Sequence, residues 1–222
     1  MEYKFKMTFT EDEINEMRTS LFNFINDNCI ERRPPGDRNF VLMTHDGNLY
    51  DWQFYLRRML FNSRYLTYTG MLFWTRYADE FKQYPFQIAG LETGSTPLIV
   101  GLAMTAPSFG VNVNAFSIRK DRKRYGLYNR MEGIVTNDPI MLVDDMCNSK
   151  NTMLIAKRYC EEEELPIYHK AFSVVNKNIL ETDSKNYDKH IGPSLQVDSL
   201  FYIDEFDLSY IQYHDKKSNI GE

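Results

Sequence analysis

The sequence is poor in cysteine, with only Cys29, Cys147 and Cys160 in 222 residues, and their spacing matches no metal site. So few cysteines exclude a disulfide-built secreted fold, and we expect reduced thiols in a cytoplasmic protein. No apolar run approaches the roughly 20 residues of a membrane-spanning helix. The start, MEYKFKMTF, is too short and polar for a signal peptide, so no membrane partner is expected.

An excess of basic residues is also absent, since the formal net charge is -5. This charge argues against a general nucleic-acid binder, although basic residues cluster at Arg119–Arg124. Internal repeats and low-complexity tracts are lacking as well. What is present is a hydrophobic fraction of 43% in a chain of 222 residues, which suits one domain with a substantial buried core.

The first 85 residues carry the signals of two helices and a hairpin. Thr10 and Glu13 form a capping-box pattern, and apolar residues follow it at helical spacing. Asp46 and Gly47 separate two apolar runs, as in a β-hairpin. The elements expected here are a helix over about residues 11–29, a hairpin of residues 40–43 and 49–54, and a long helix over about residues 63–83.

From residue 86 onwards, short apolar runs alternate with amphipathic segments. Alternation of this kind predicts right-handed βαβ units, and therefore an α/β fold with a central, mostly parallel sheet flanked by helices. We divide the chain into an N-terminal part, residues 1–85, an α/β core, residues 86–180, and a C-terminal segment, residues 181–222. The predicted strands cover about residues 86–89, 111–118, 140–143, 168–175 and 200–203, with helices over about residues 97–105 and 150–163.

The most informative stretch is PIMLVDDMCNSKNT, residues 139–152. An apolar strand, Ile140–Val143, ends in Asp144 and Asp145, and a polar turn then opens a helix. Ligands of α/β sheets bind outside the carboxyl ends of strands, and helix N-termini bind phosphates. The two carboxylates suit the vicinal hydroxyls of a sugar, or a positive charge that develops on a ribose carbon. The alternative interpretation is an ordinary polar turn after a strand.

Two further loops have a composition suited to anions. Residues 90–97, GLETGSTP, follow the first parallel strand, and their glycines permit close approach of the backbone to a phosphate. Residues 119–126, RKDRKRYG, form a long basic loop between two predicted strands. Long loops are often lids, and a cationic lid would neutralise a leaving pyrophosphate. The alternatives are an ordinary βα turn and a solvated charged loop.

Together these segments resemble the type I phosphoribosyltransferases, in particular the orotate phosphoribosyltransferase branch. VDDMCNSKNT, residues 143–152, is similar to the phosphoribosyl-pyrophosphate motif, RKDRKRYG to the catalytic loop, and GLETGSTPL to the pyrophosphate loop. FVLMTHDGNLYDWQFYL, residues 40–56, looks like the hood hairpin that covers the base. The resemblance spans about residues 40–175 and implies one compact domain, in which N-terminal and C-terminal segments form a small hood.

The resemblance implies an enzyme that moves a 5-phosphoribosyl group from phosphoribosyl pyrophosphate to a nucleobase-like acceptor, with Mg²⁺ as cofactor. Asp144 and Asp145 would hold the ribose hydroxyls, assist an oxocarbenium-like transition state, and contact the metal weakly through water or substrate. Lys123 would close over the pyrophosphate, from a loop that reaches the neighbouring subunit of a homodimer. The implied ligand-binding residues are Glu92, Thr93, Gly94, Ser95, Arg119, Lys120, Asn148, Ser149, Lys150, Asn151 and Thr152.

The chain departs from the family pattern at several of these positions. Asn148 replaces a threonine of the phosphate loop, and Lys150 replaces a glycine at which the backbone approaches phosphate. The lysines of the orotate branch in the pyrophosphate loop and the hood correspond to Gly94 and Met43, and its base-binding arginine corresponds to Lys177. These changes leave a second function open, a phosphoribosyl-pyrophosphate or nucleotide sensor without turnover.

Three residues near the motifs have open interpretations. Cys147 is either a reactive thiol or a small packed side chain within the polar turn. Arg57 and Arg58, which follow the hood-like hairpin, are candidates for contact with an acidic base or a partner subunit. We assign none of the three to the site.

Overall fold

Six strands form the central sheet of the computed structural model, which describes residues 7–33, 42–43, 49–50, 52–120, 130–148, 150–177 and 195–208. The helices are α1 (Glu11–Asn28), α2 (Arg57–Leu60), α3 (Ser63–Gln83), α4 (Thr96–Thr105) and α5 (Asn151–Glu162). The strands are β1 (Ile30–Arg32), β2 (Leu42–Met43), β3 (Leu49–Tyr50), β4 (Trp52–Phe54), β5 (Gln87–Leu91), β6 (Ala115–Ile118), β7 (Met131–Gly133), β8 (Ile140–Cys147), β9 (Ile167–Asn176) and β10 (Gln196–Tyr202). Within the described ranges, every helix is too short or too polar to cross a membrane.

The chain enters α1 through the predicted capping box. The Glu13 carboxylate accepts a hydrogen bond from the Thr10 backbone N–H at 2.8 Å, and the Thr10 hydroxyl accepts one from the Glu13 N–H at 3.3 Å. These bonds satisfy donors that the first helical turn leaves unpaired. The helices predicted over residues 11–29 and 63–83 are both confirmed, with ends that agree to within one residue.

The central sheet has the strand order β10-β9-β8-β5-β6-β7. Neighbouring strands are parallel except β6 and β7, which pair antiparallel at one edge. The predicted α/β class with a mostly parallel sheet is therefore confirmed. The sequence does not predict β7, because its three residues, Met-Glu-Gly, are too few to show an apolar alternation.

Side chains of the central strands point alternately into two buried layers. In β8, Met141 and Val143 belong to the layer formed with α1, α3 and α4, whereas Ile140 and Leu142 belong to the layer formed with α5. Strands buried on both faces are continuously apolar, which is why the run 140–143 identifies this strand in the sequence. Packing on both faces also holds the carboxyl ends of β5 and β8 in place.

The N-terminal strands form two small antiparallel pairs outside the central sheet. β2 pairs with β3, as the hairpin prediction requires, but β4 pairs with β1, which the sequence does not predict. Near the other end of the chain, Phe206 packs against Phe54 of β4, with ring centroids 5.2 Å apart. β10 adds a strand to the central sheet, so the sheet continues past the core boundary predicted at residue 180.

Candidate active site

Asp144 and Asp145 lie within β8, although the sequence predicts that this strand ends at Val143. The strand continues to Cys147 because β9 pairs with it to its end, with Asp144 opposite Ser173. A prediction from apolar residues misses this extension, since the acidic pair interrupts the apolar run. The hydrogen bonds between the two strands therefore determine where both carboxyl groups lie.

The two carboxyl groups face a cavity of about 330 Å³. The turn after β5, the chain after β6 and the first turn of α5 converge on it, as expected of loops that follow parallel strands. Its volume lies at the lower end of the range for ligand pockets. The lining residues that the sequence predicts are Glu92, Thr93, Gly94, Lys120, Asp144, Asp145, Asn148, Lys150, Asn151 and Thr152.

Two predicted binding residues are directed elsewhere. Ser95 is fully buried and donates a hydrogen bond to the carbonyl oxygen four residues earlier at 2.7 Å, so it shapes the turn rather than facing a ligand. Arg119 Nη1 lies 3.0 Å from Glu132 Oε1 at the edge formed by β6 and β7, and Arg119 is not among the described lining residues. Lys123 and Ser149 lie outside the described residues.

Gly94 brings the turn after β5 against the acid pair. A β-carbon built at Gly94 would lie 3.6 Å from Asp145 Oδ1 and 3.7 Å from Asp144 Oδ1. With no side chain at this position, the backbone of the turn faces both carboxyl groups directly. Two motifs that are about 50 residues apart in sequence therefore meet at one place in the fold.

Lys150 occupies the turn between β8 and α5 in the left-handed conformation, with φ 60° and ψ -2°. Glycine adopts this conformation more readily, because a β-carbon costs about 1 kcal/mol in it. Asn151 and Thr152 then form the first turn of α5, where backbone N–H groups have no partner within the helix. Such a turn, with a lysine beside it, suits a phosphate group.

Burial dominates the electrostatics of the acid pair. Asp144 is only 7% exposed, and this burial, together with the charge of Asp145, raises the pKa of its carboxyl well above the ordinary range. Burial also raises the pKa of Asp145, whereas hydrogen bonds and the charge of Arg57 act in the opposite direction. The Asp145 backbone N–H donates a hydrogen bond to Asp144 Oδ1 at 3.0 Å. The pair is therefore easier to protonate than two ordinary aspartates.

Replacing Asp144 with asparagine is expected to stabilise the fold by about 1 kcal/mol or more near pH 8, because a buried charge is removed. When the pKa of an aspartate rises on folding, its contribution to the free energy of unfolding is complete below the pKa of the unfolded state. That contribution is lost as the pH rises through the pKa of the folded state. The advantage of Asp144→Asn should therefore grow from about pH 4 to about pH 8. Thermal unfolding measures it, with an expected gain of about 2–4 °C in Tm near pH 8. An equal gain at both pH values would contradict this explanation.

Cys147 lies in the cavity wall without the environment of a reactive thiol. Burial raises its pKa to about 11, so little thiolate is present at neutral pH. Cys29 and Cys160 are also buried free thiols. Of the two interpretations that the sequence left open, the structure favours a small packed side chain.

Arg57 lines the cavity, although the sequence assigns it to no site. It begins α2, which follows directly after β4. The pairing of β4 with β1 sets the path of the chain into α2, and no local pattern predicts this pairing. The available signal in the sequence is only that an arginine follows the hood-like hairpin.

Solved structures share this architecture. The orotate phosphoribosyltransferase of Mycobacterium tuberculosis H37Rv matches with a TM-score of 0.65 and 20% identity, over 86% of this chain and 99% of that chain. The same enzyme in complex with 5-phospho-alpha-D-ribosyl 1-diphosphate matches with a TM-score of 0.56 and 18% identity, over 86% of this chain and 91% of that chain. The chain therefore has the fold of the type I phosphoribosyltransferases.

Similarity in sequence points to the orotate branch of that family. The orotate phosphoribosyltransferase of Tropheryma whipplei (strain Twist) is 33% identical over 76 residues, which cover 34% of this chain and 36% of the relative. The orotate phosphoribosyltransferase of Methanocaldococcus jannaschii is 28% identical over 113 residues, 50% of this chain and 60% of the relative. Both matches span less than two thirds of the relative's length, and no family model matches the chain. The resemblance predicted from the motifs is confirmed.

Proposed function

We propose that the chain is a phosphoribosyltransferase, which moves the 5-phosphoribosyl group of phosphoribosyl pyrophosphate to a ring nitrogen of a nucleobase-like acceptor. A bond forms between that nitrogen and C1 of the ribose, the bond from C1 to pyrophosphate breaks, and pyrophosphate leaves with the electron pair. The ring nitrogen releases its proton to solvent. The observation that carries this proposal is the acid pair of β8, of which Asp144 is buried, facing the Gly94 turn and the first turn of α5 across one cavity.

Asp144 and Asp145 are suited to the ribose ring. Each carboxyl group can accept hydrogen bonds from ribose hydroxyls. As pyrophosphate departs, positive charge develops on the ring, and carboxylates held in a water-poor site stabilise this charge without reorganising. Because burial raises the pKa of both groups, their full ionisation becomes favourable when a positive charge develops beside them.

The two phosphate-bearing ends of the donor fit the two polar loops. Lys150 and the first turn of α5 would bind the 5-phosphate, with the neighbouring Asn148 and Ser149 as further contacts. The turn 92–94 and Lys120 would bind the pyrophosphate. The Lys120 backbone N–H donates a hydrogen bond to Glu92 Oε1 at 3.2 Å, which supports a common role for these two segments.

Magnesium is part of this proposal, and the residues present fit an ion that is held mainly by substrate. Among the described residues, no group of three or more histidine, cysteine or acidic side chains is arranged to hold a metal. Mg²⁺ keeps several waters and takes phosphate oxygens readily, so Asp144 and Asp145 would contact it through water or substrate. When bound, the ion would neutralise negative charge on the leaving pyrophosphate.

The basic loop completes the proposal as a lid. Lys120, which directly precedes residues 121–129 in the sequence, lines the cavity. Through the resemblance, Lys123 in that loop would approach the leaving pyrophosphate, and in a homodimer it would serve the neighbouring subunit. A cation in this place would stabilise the charge that builds up on pyrophosphate.

Release of pyrophosphate from phosphoribosyl pyrophosphate, measured with magnesium and a panel of bases that includes orotate and uracil, tests this function. We expect release with at least one base, together with the matching nucleotide.

Lys123→Ala is expected to lower turnover by about tenfold or more, while thermal unfolding stays as in the wild type. Wild-type rates in this variant would remove the lid from the mechanism.

One observation favours a second function, binding without turnover. Lys150 holds a strained conformation in the phosphate turn, where the family has glycine. A lysine that binds phosphate tightly there would suit a sensor of phosphoribosyl pyrophosphate or a nucleotide. Tight binding of phosphoribosyl pyrophosphate, with no release of pyrophosphate on any base of the panel, would support the sensor and contradict the enzyme.

A further inference from the structure

Lys120 is held in the cavity wall by contacts on both sides of its backbone. Its N–H donates a hydrogen bond to Glu92 Oε1 at 3.2 Å, in the turn after β5. Its carbonyl oxygen accepts a hydrogen bond from the Tyr159 hydroxyl of α5 at 3.4 Å, which is long for such a bond. Both polar groups of the Lys120 backbone thus contact side chains from other elements that line the cavity.

Arg130 holds the Tyr159 ring in place. The guanidinium carbon of Arg130 lies 3.7 Å from the ring centroid, and Nη1 lies 3.1 Å from Glu162 Oε2. The Arg130 side chain is only 14% exposed, and its Nε is buried without a hydrogen-bond partner among the described residues. A cation is attracted more strongly to an aromatic face when water is excluded, so the ring and the guanidinium stabilise each other's position.

Arg158 contacts the same ring and the same carboxylate, but at longer distances. Its guanidinium carbon lies 5.5 Å from the Tyr159 ring centroid, and its Nε lies 3.8 Å from Glu162 Oε1. The Arg158 side chain is 64% exposed, and exposed ion pairs contribute little to stability. Arg130 is therefore the cation that determines where the ring lies, and Arg158 is a matched control for it.

The backbone connects the same cluster to β6. The Arg119 N–H donates a hydrogen bond to the Arg130 carbonyl oxygen at 2.8 Å, which continues the antiparallel pairing of β6 with β7. Lys120 and Arg130 flank residues 121–129 in the sequence. Tyr159 contacts the first of these flanking residues through its hydroxyl and the second through its ring. It thereby joins both to α5, about two turns after the start of that helix.

The proposed function, on which this inference rests, assigns the pyrophosphate to the turn 92–94 and Lys120. We propose that Tyr159, held by Arg130, is a positioning residue that keeps Lys120 at the cavity and so determines how tightly pyrophosphate binds. Tyr159 is not among the described residues that line the cavity, so it acts through Lys120 rather than on the ligand. Burial raises the pKa of Asp144 and the charge of Lys120 acts in the opposite direction, which places this charge within reach of the acid pair.

Calorimetry with two ligands tests this inference on the full chain. Magnesium pyrophosphate is titrated after saturation with ribose 5-phosphate, which occupies the first turn of α5 in the proposed function. Lys120→Gln should weaken pyrophosphate binding about 10- to 100-fold, the effect of one hydrogen-bonded charge. Tyr159→Leu should weaken it about fivefold through loss of the ring contact. Both variants should bind ribose 5-phosphate as tightly as the wild type.

A double-mutant cycle shows whether Tyr159 acts through Lys120. If it does, the double variant should bind pyrophosphate no more weakly than Lys120→Gln alone, because no charge is left to position. Arg130→Gln should behave as Tyr159→Leu does, and it provides the same cycle should Tyr159→Leu fail to fold. The matched control, Arg158→Gln, should bind both ligands as the wild type does. Thermal unfolding checks that each variant is folded.

The other outcomes separate this inference from the proposed function. Losses that multiply in the double variant would show that Tyr159 acts independently of Lys120, and would overturn the inference. Equal weakening of both ligands by Tyr159→Leu would also overturn it, by assigning the residue to the stability of α5. Wild-type affinity in Tyr159→Leu and Arg130→Gln would overturn the inference alone. Failure of the wild type to bind either ligand would overturn the proposed function as well.

Discussion

The Asp145→Asn variant is expected to lower kcat for phosphoribosyl transfer by about 100- to 1,000-fold. Asparagine keeps the size of the side chain and one acceptor oxygen, but it cannot supply negative charge to the cation that develops on the ribose. Because this charge acts mainly in the transition state, KM for phosphoribosyl pyrophosphate should change by less than about tenfold. Steady-state pyrophosphate release, with a base that the wild type accepts, measures both constants.

Asp138→Asn provides a matched control at the other end of the same strand. Asp138 precedes β8, is exposed, and accepts a hydrogen bond from the Thr136 hydroxyl at 2.8 Å. Since it does not line the described cavity, its variant should keep the wild-type kcat. An unchanged kcat in Asp145→Asn would contradict the role of the acid pair, and an equal loss in both variants would indicate general damage to β8.

Gly90→Ala is expected to destabilise the fold by about 3 kcal/mol or more, which corresponds to a fall of about 6–12 °C in Tm. A β-carbon at Gly90 would lie 2.5 Å from Ser95 Oγ and 2.6 Å from Ser95 Cβ, and closer still to the Val143 carbonyl oxygen. Ser95 is held by its own hydrogen bond, and Val143 belongs to the backbone of β8. Relief of the clash must therefore move the turn 92–94 away from the acid pair, so the affinity for phosphoribosyl pyrophosphate should fall as well.

The Gly94→Ala variant is a control, because it adds a methyl group to the same turn without the clash expected at Gly90. Its β-carbon would meet the two aspartate oxygens at 3.6 and 3.7 Å, which is ordinary contact. Its stability should therefore stay within about 0.5 kcal/mol of the wild type, while the methyl group occupies space in front of the acid pair and weakens donor binding. Circular dichroism melts and calorimetry measure these effects. Equal melting temperatures for the two alanine variants would contradict the close approach of β5 and β8.

Much of the scaffold can be predicted from local patterns. The helix after Thr10 is indicated by its cap and its spacing, and the buried strand 140–143 by a continuous apolar run. The acid pair and the polar turn after it indicate the site because ligands bind at the carboxyl ends of parallel strands. Strand ends and short elements are predicted less well. β8 is longer than its apolar run because β9 pairs with it, and β4 finds its partner in β1, whose three residues carry no pattern of their own.

The α/β alternation, the acid pair and the composition of the three polar loops can be read from residues that are neighbours along the chain. Which of those residues face the cavity depends on the packing of the folded chain. It turned Ser95 inward, paired Arg119 with Glu132 and brought Arg57 to the cavity wall. Strand pairing and burial bring side chains from distant segments together, and no local pattern encodes that placement.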